Sequence, residues 1–196
     1  MVIDLQRCVG CGSCSISCRN ENNVSEGAYW SHKITETSGK FPNVRFHYIP
    51  TLCNHCENPP CVRGCPTKAM HKLENGITMH DPKKCIGCRY CMAACPFGAR
   101  SFNWKDPRTT YFKDKEPPNP TYPTRTKGVV EKCNLCAERL AVGEMPACVE
   151  AVKDSKAIIF GDLEDPDSEV REVLHEHFAI RRKPELGTNP NVYYIV

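Results

Sequence analysis

The sequence predicts an α+β fold of short helices and hairpins that draws its cohesion from something other than a large apolar core. Three observations predict it. Fifteen of the 196 residues are cysteine, and they fall into four tight blocks. Two of those blocks repeat one spacing, which marks internal repetition. Apolar side chains are few: hydrophobic residues reach 40% only with the cysteines counted, and aromatics 8%, against 16 Pro and 12 Gly. So thin a supply leaves burial alone an insufficient source of stability for a chain of this length.

The first block is Cys8, Cys11, Cys14 and Cys18, spaced C-x2-C-x2-C-x3-C. The second is Cys53, Cys56, Cys61 and Cys65, spaced C-x2-C-x4-C-x3-C. The third, Cys85, Cys88, Cys91 and Cys95, repeats the first spacing. The fourth is Cys133, Cys136 and Cys148; its missing member is expected at position 152, where Val152 stands. Three chemistries use clustered cysteines. A secreted disulfide scaffold is usually shorter, and an odd total leaves one thiol unpaired. Structural zinc generally draws two Cys pairs across a loop, or adds His. The C-x2-C-x2-C triplet crowds three thiolates around one small object and, followed by C-P, is the bacterial pattern for iron–sulfur clusters. Cys65-Pro66 and Cys95-Pro96 carry that proline, while Cys18 lacks it. Iron–sulfur binding is therefore the reading adopted, with a zinc-binding structural or interaction module as the alternative of another class.

The spacing has a physical reason. Gly10, Gly12 and Gly87 let the loops curve tightly, so that backbone N–H groups can face sulfides. The x3 step enters a helix that carries the last cysteine away. In two-cluster ferredoxins that last cysteine ligates the neighbouring cluster. Cluster C then takes Cys53, Cys56, Cys61 and Cys95, and cluster D takes Cys65, Cys85, Cys88 and Cys91. Cluster B takes Cys18, Cys133, Cys136 and Cys148. Cluster A keeps Cys8, Cys11 and Cys14, its fourth ligand missing at Val152. Cluster A is open to three outcomes: [3Fe–4S], [4Fe–4S] with an oxygen or solvent ligand (Asp154 being the nearest carboxylate), or no cluster. The expected cofactors are three [4Fe–4S] clusters plus one [3Fe–4S] or non-cysteine-ligated [4Fe–4S] cluster.

Taken in order, residues 1–52 and 126–160 form an outer ferredoxin-like unit, interrupted by an inner one at 53–100. Residues 101–125 are a Pro-rich insertion and 161–196 a C-terminal docking or packing extension. The fold class is thus α+β, with two interleaved bacterial-ferredoxin-like domains. Val44 to Pro50 alternates as a strand, and Gly76 to Pro82 reads as a short strand ending in a turn. Pro107, Pro117, Pro118, Pro120 and Pro123 rule out a long helix in the insertion. Glu138 to Gly143 reads as a short helix and Ala157 to Phe160 as a strand. Glu169 to Phe178 reads as a helix capped by Asp167 or Ser168. Asn191 to Val196 is extended and apolar, either a terminal strand on the core or a docking strip.

Function classes fall away with the same observations. The formal charge of +3 is too weak to argue for nucleic acid, and four anionic clusters would turn it negative. No apolar run approaches a membrane span, and Met1 to Cys8 leaves no room for a signal sequence. No nucleophile elbow, phosphate loop or dinucleotide fingerprint is present, so no catalytic residue is assigned. One-electron relay is what several clusters in one small chain can do. His55 and Arg89 lie inside triplets, as packing groups or as positive charge beside a cluster.

On these residues the chain resembles the four-cluster electron-transfer subunit of molybdopterin oxidoreductases, the group of polysulfide, thiosulfate, tetrathionate, dimethyl sulfoxide and arsenate reductases. The supporting stretches are MVIDLQRCVGCGSCSISCRNEN, TLCNHCENPPCVRGCPTKAM, DPKKCIGCRYCMAACPFGAR, KCNLCAERLAVGEMPACVEA, FGDLEDPDSEV and KPELGTNPNVYYIV, nearly the whole chain. The last two hold no cluster ligand and set this group apart from generic polyferredoxins. The resemblance implies a large catalytic partner with molybdenum or tungsten bis-pterin and an integral membrane partner that handles quinone. It also implies that the Cys8, Cys11 and Cys14 cluster lies nearest the catalytic subunit. The family normally has Cys-Pro where this chain has Val152-Lys153, which puts that cluster's type in question. SHKITETSGKFP and YIPTLCNHC resemble arsenate-reductase partners and lean toward arsenic or sulfur-oxyanion respiration. A membrane-associated complex is expected, on the periplasmic face by co-export with the catalytic subunit, the cytoplasmic face remaining open. The alternative within this class is the cluster subunit of a formate dehydrogenase, hydrogenase or other quinone-linked complex.

Overall fold

The computed structural model describes residues 1–107, 116–123 and 125–196. Its architecture is mixed α+β, several small sheets and short helices such as tandem ferredoxin-like modules have. One four-stranded sheet gathers the two ends of the chain. Strand β1 (Val2–Asp4) runs parallel to β10 (Tyr193–Ile195) and antiparallel to β8 (Ile158–Ile159), and β9 (Ala179–Arg181) flanks β10. These strands are short apolar runs, and Val2, Ile3 and Tyr194 are among the most deeply buried side chains. The Tyr194 hydroxyl donates to the Pro50 carbonyl at 3.0 Å, fastening the sheet to the middle of the chain. Asn191 to Val196, read as a terminal strand or a docking strip, lies in this sheet with Tyr194 and Ile195 buried.

Three antiparallel hairpins make up the rest of the strands. The longest joins β2 (Ser31–Lys40) to β3 (Asn43–Leu52) in full register, from Ser31 opposite Leu52 to Lys40 opposite Asn43. The strand expected at Val44 to Pro50 is β3. Its partner β2 gave no signal, because most of its residues are exposed and it carries no apolar alternation. Strands β4 (Met70–Lys72) and β5 (Thr78–His80) pair in the same way.

Strands β6 (Ser101–Phe102) and β7 (Val130–Glu131) pair across the Pro-rich insertion. The insertion expected at 101–125 therefore opens on a strand whose partner lies just beyond it. Farther along, Asn23 Nδ2 donates to the carbonyls of Asn119 and Tyr122, both at 2.7 Å, and Asn119 N–H returns a bond to Asn23 Oδ1. Residues 108–115 and 124 of that expected insertion lie outside the described residues.

The helices are one or two turns long. They are α1 (Ser13–Glu21), α2 (Pro60–Arg63), α3 (Tyr90–Ala94), α4 (Ala137–Leu140), α5 (Ala147–Glu150) and α6 (Glu169–Glu176). Helix α1 packs on α5, and α2 on α3, so residues far apart in sequence are brought side by side. Helix α6 begins after Ser168 as expected but without a side-chain cap bond, and it ends before Phe178, whose ring is exposed.

The largest core cluster mixes apolar side chains such as Ile3, Val24, Trp30 and Tyr194 with Cys14, Cys18, Cys53, Cys56, Cys133 and Cys148. Trp30 is a core residue, and its Nε1–H donates to the buried Glu131 carboxylate at 3.0 Å. Because Ile3 is fully buried where β1 meets this cluster, Ile3→Ala is expected to cost about 2–5 kcal/mol, read as a lowered urea midpoint of the anaerobic protein.

Candidate cluster-binding sites

All fifteen cysteines are free thiols, nine of them buried, four half-buried and two, Cys11 and Cys88, exposed. Their placement follows from the short elements around them. Gly12, in the left-handed region at φ 82, turns the block-one loop into α1, which carries Cys14 and Cys18 one turn apart on its buried face. Val152 and Lys33 help line the hollow into which Cys8, Cys11 and Cys14 open. Cys11 Sγ lies 3.3 Å from Ser13 Oγ. Asp154, the carboxylate considered as a fourth ligand, is exposed and is not among the residues lining this hollow. Ser155 does line it, but its hydroxyl donates to the Val152 carbonyl at 2.9 Å.

The last cysteine of block one leaves its own triplet. Cys18 has Cys133, Cys148 and Cys136 of the fourth block as its strongest electrostatic neighbours, ahead of Cys14 of its own block. Asn22, fully buried, places its Nδ2 at 3.8 Å from both Cys18 Sγ and Cys136 Sγ. In the middle of the chain, Cys56 is surrounded by Cys53, Cys61 and Cys95. A second hollow is lined by Cys65, Cys85, Cys88 and Cys91 together. These groups adjoin one another: Cys14 neighbours Cys148, Cys53 neighbours Cys133, and Cys61 neighbours Cys91. The thiol groups thus adjoin one after another as a row, and its first and last groups each hold an exposed cysteine, Cys11 and Cys88.

Burial and charge pull the thiols in opposite directions. Burial pushes Cys148 up to about 12, and Cys56 and Cys91 up to about 11. Burial, reinforced by neighbouring cysteines, also drives Cys18 and Cys133 well above the ordinary thiol range. Cys53 goes the other way: burial raises it, but the charges of Lys132, His55 and Arg100 outweigh that and hold it well below the ordinary value. Thiols so disfavoured as thiolates lose their protons when a positively charged iron core takes their place, so binding and folding are coupled.

The surroundings fit such a core. Backbone N–H groups of Met70 and Leu135 each approach a cysteine sulfur, Cys65 and Cys133, at 3.4 Å. Asn54, within the block-two loop, is 1% exposed, yet neither its amide oxygen nor its amide nitrogen has a partner in the protein. An orphaned buried amide of this kind is rare unless something else satisfies it. Among the described residues no three His, Cys, Asp or Glu side chains converge as one metal ion requires.

Two buried cations were not singled out by sequence reasoning. Arg100 lies among Cys53, Cys61, Cys95 and Cys91. Lys132 donates from Nζ to the carbonyls of Thr78 and, at 2.7 Å, Cys133. Their only signal was proximity in sequence to Cys95 and Cys133, a weak one because basic residues are ordinarily surface groups. Of the two residues inside triplets, His55 is buried and accepts the Thr78 N–H on Nδ1 at 3.1 Å, beside Cys53. Arg89 instead stacks at the surface on Trp104 and Phe102, 4.8 and 5.3 Å from their ring centroids. Trp104 is itself exposed.

Several clusters' worth of thiols, arrayed in a row without catalytic machinery, define the class: a multi-cluster iron–sulfur electron carrier. The comparisons agree. Residues 44–113 match the profile of a 4Fe-4S dicluster domain. The whole chain aligns at 46% identity with the iron–sulfur subunit of an arsenate respiratory reductase from Shewanella sp. (strain ANA-3), covering 94% of that protein. It aligns over its whole length at 38% identity with one of the polysulfide reductase chains of Wolinella succinogenes, covering 92% of it. With a tetrathionate reductase subunit of Salmonella typhimurium the identity is 41%, covering 71% of that protein. The chain belongs to the family of iron–sulfur electron-transfer subunits of the polysulfide, tetrathionate, dimethyl sulfoxide and arsenate reductase type, and is a non-catalytic subunit of an oxidoreductase complex.

The block-three loop offers a direct check. At Gly87, φ is +70 and an added Cβ would lie 2.3 Å from the Gly128 carbonyl oxygen; at Gly98, φ is +63 with open space around it. Gly87→Ala is expected to lower iron and acid-labile sulfide per chain, whereas Gly98→Ala, strained by only about 1–2 kcal/mol, keeps both.

Proposed function

We propose that this chain relays electrons between a molybdopterin catalytic subunit and a membrane quinone-handling subunit or other redox partner, in arsenic or sulfur-oxyanion respiration. The observation that carries the proposal is the unbroken row of thiol groups with an exposed cysteine at each end. The arsenate lean rests on the relative named for that activity. The chain would meet its partners at the two ends, near Cys11 and near Cys88, and sit on the membrane complex without spanning it. Among the described residues no helix is long and apolar enough to cross a membrane. The periplasmic face, reached by co-export with the catalytic subunit, is the side proposed.

Four ligand sets follow from the neighbours already described. Cys18, Cys133, Cys136 and Cys148 hold one [4Fe–4S] cluster; Cys53, Cys56, Cys61 and Cys95 a second; Cys65, Cys85, Cys88 and Cys91 a third. Cys8, Cys11 and Cys14 hold the fourth, a [3Fe–4S] cluster, since Val152 and not a carboxylate lines their hollow. The sets make two interleaved ferredoxin-like units, 1–52 with 126–160 and 53–100. Each cluster, when bound, accepts and passes one electron. The protein's part is to hold the sets at fixed spacing, exclude water from the middle two, and leave the outer two accessible. Loop N–H groups and buried cations offset the negative charge that each set carries.

The test is anaerobic purification with the co-purifying large subunit, iron and sulfide analysis, and low-temperature EPR. About fifteen irons per chain and an oxidised [3Fe–4S] signal are expected. Val152→Cys should abolish that signal and add about one iron. About sixteen irons without the signal would point to a non-cysteine ligand, and zinc without sulfide would overturn the relay. A formate dehydrogenase or hydrogenase as the co-purifying subunit would overturn the assignment to arsenic or sulfur oxyanions. Cys18→Ser should remove a [4Fe–4S] signal and leave the [3Fe–4S] signal intact; loss of the latter alone would refute the exchange between blocks one and four.

A further inference from the structure

A guanidinium is buried within the thiol row, between the Cys53 and Cys91 groups. Arg100 is 7% exposed. Its Nε has no hydrogen-bond partner, and its Nη1 meets the Met70 thioether at 3.8 Å. A buried cation costs several kcal/mol unless an anion compensates it. The groups acting electrostatically on Arg100 are Cys53, Cys61 and Cys95, then Cys91, each of which is negative once it binds iron as a thiolate. Burial works against its charge, and these cysteines act in the opposite sense. The position is set by the fold. Arg100 follows the Cys95-Pro96 bend by four residues and leads into β6, while Met70 at the start of β4 packs beneath it.

We propose that Arg100 is the internal counter-ion between the cluster held by Cys53, Cys56, Cys61 and Cys95 and its neighbour held by Cys65, Cys85, Cys88 and Cys91, and that it raises the reduction potential of the first. The proposal rests on the ligand sets given under Proposed function. Iron does not remove the need for a counter-ion: a core of +2 with four thiolates is still an anion. One electron, arriving from the neighbouring cluster, makes that anion more negative by one charge, and no proton has to follow. A fixed cation beside the set stabilises the reduced state more than the oxidised one. Three of the four cysteines acting on Arg100 belong to this set and one, Cys91, to its neighbour, so the effect is graded. It is largest here, smaller on the Cys65, Cys85, Cys88 and Cys91 cluster, and absent at the Cys8, Cys11 and Cys14 end. Lys132 adds positive charge nearby, but its ammonium is tied to two carbonyls and adjoins a ligand, so Arg100 is the cleaner probe.

The test uses the whole complex, purified anaerobically, with Arg100→Met, Arg100→Gln and Arg100→Lys compared by EPR-monitored redox titration and iron and sulfide analysis. In the neutral variants the inner cluster is expected to become at least about tenfold harder to reduce, 59 mV for a one-electron couple. Its neighbour should move less and the [3Fe–4S] couple not at all. Arg100→Lys should restore most of the shift. Full iron with unmoved potentials would overturn the role of Arg100 and leave the cluster assignment standing. A shift common to all clusters would also overturn it, as a general structural effect. Loss of iron from both neutral variants with Arg100→Lys intact would make the residue a folding group and end the proposal. Wild-type protein without iron and sulfide would instead overturn the cluster assignment on which it rests.

Discussion

Nine buried thiols must be accommodated inside a small protein, and the rest of the structure follows from that constraint. A buried thiolate is costly, and a buried thiol contributes little cohesion beyond its small apolar volume. A bound cluster changes both terms, because its iron takes the place of the thiol protons and ties distant parts of the chain together. The short elements make sense in that light. Helices α1, α2, α3 and α5 are only as long as needed to point one or two cysteines inward, and the pairs α1–α5 and α2–α3 bring separate blocks together. The apolar side chains then close the remaining space, most of all where β1 and β10 join the ends of the chain.

Burial and charge vary along the thiol row in a way that suits relay. At the ends, Cys11 and Cys88 reach the surface. In the middle, Cys53 and Cys133 are neighbours, shielded from water and flanked by His55, Lys132 and Arg100. Low-dielectric surroundings magnify both the penalty on negative charge and the effect of each cation. The interior therefore acts on reduction potential through a few fixed charges, while the ends are left to be completed by partners.

Outside the ligand sets, the chain spends its remaining residues on two kinds of structure. The four-stranded sheet fastens residues 1–4 to residues after 157, and Tyr194 ties that sheet to Pro50. The β2–β3 hairpin does the opposite, extending with most of its residues exposed. Between them, the Asn23–Asn119–Tyr122 bonds hold part of the Pro-rich segment onto the end of α1. A segment whose prolines forbid a helix is thus still fixed, by side-chain amides that replace the missing backbone ladder.

The sequence by itself determined the chemistry and the class. Fifteen cysteines at ligand spacing, the absent member at Val152 and the repeated triplet are local facts, and local geometry around a ligand is a short-range matter. The strands at 44–50 and 193–195 and the helix from 169 were legible for the same reason, since apolar periodicity and capping act within a few residues. Strand β2 was not legible, because an exposed strand needs no apolar face and owes its form to pairing with β3. Nor could Arg100 and Lys132 be told from surface cations, or Asp154 be separated from the wall of the Cys8, Cys11 and Cys14 hollow. Those depend on which segments pack together at long range, and only the tertiary structure decided them: a charge acts through space on whatever the fold places beside it, and nothing in its own neighbourhood of sequence records that.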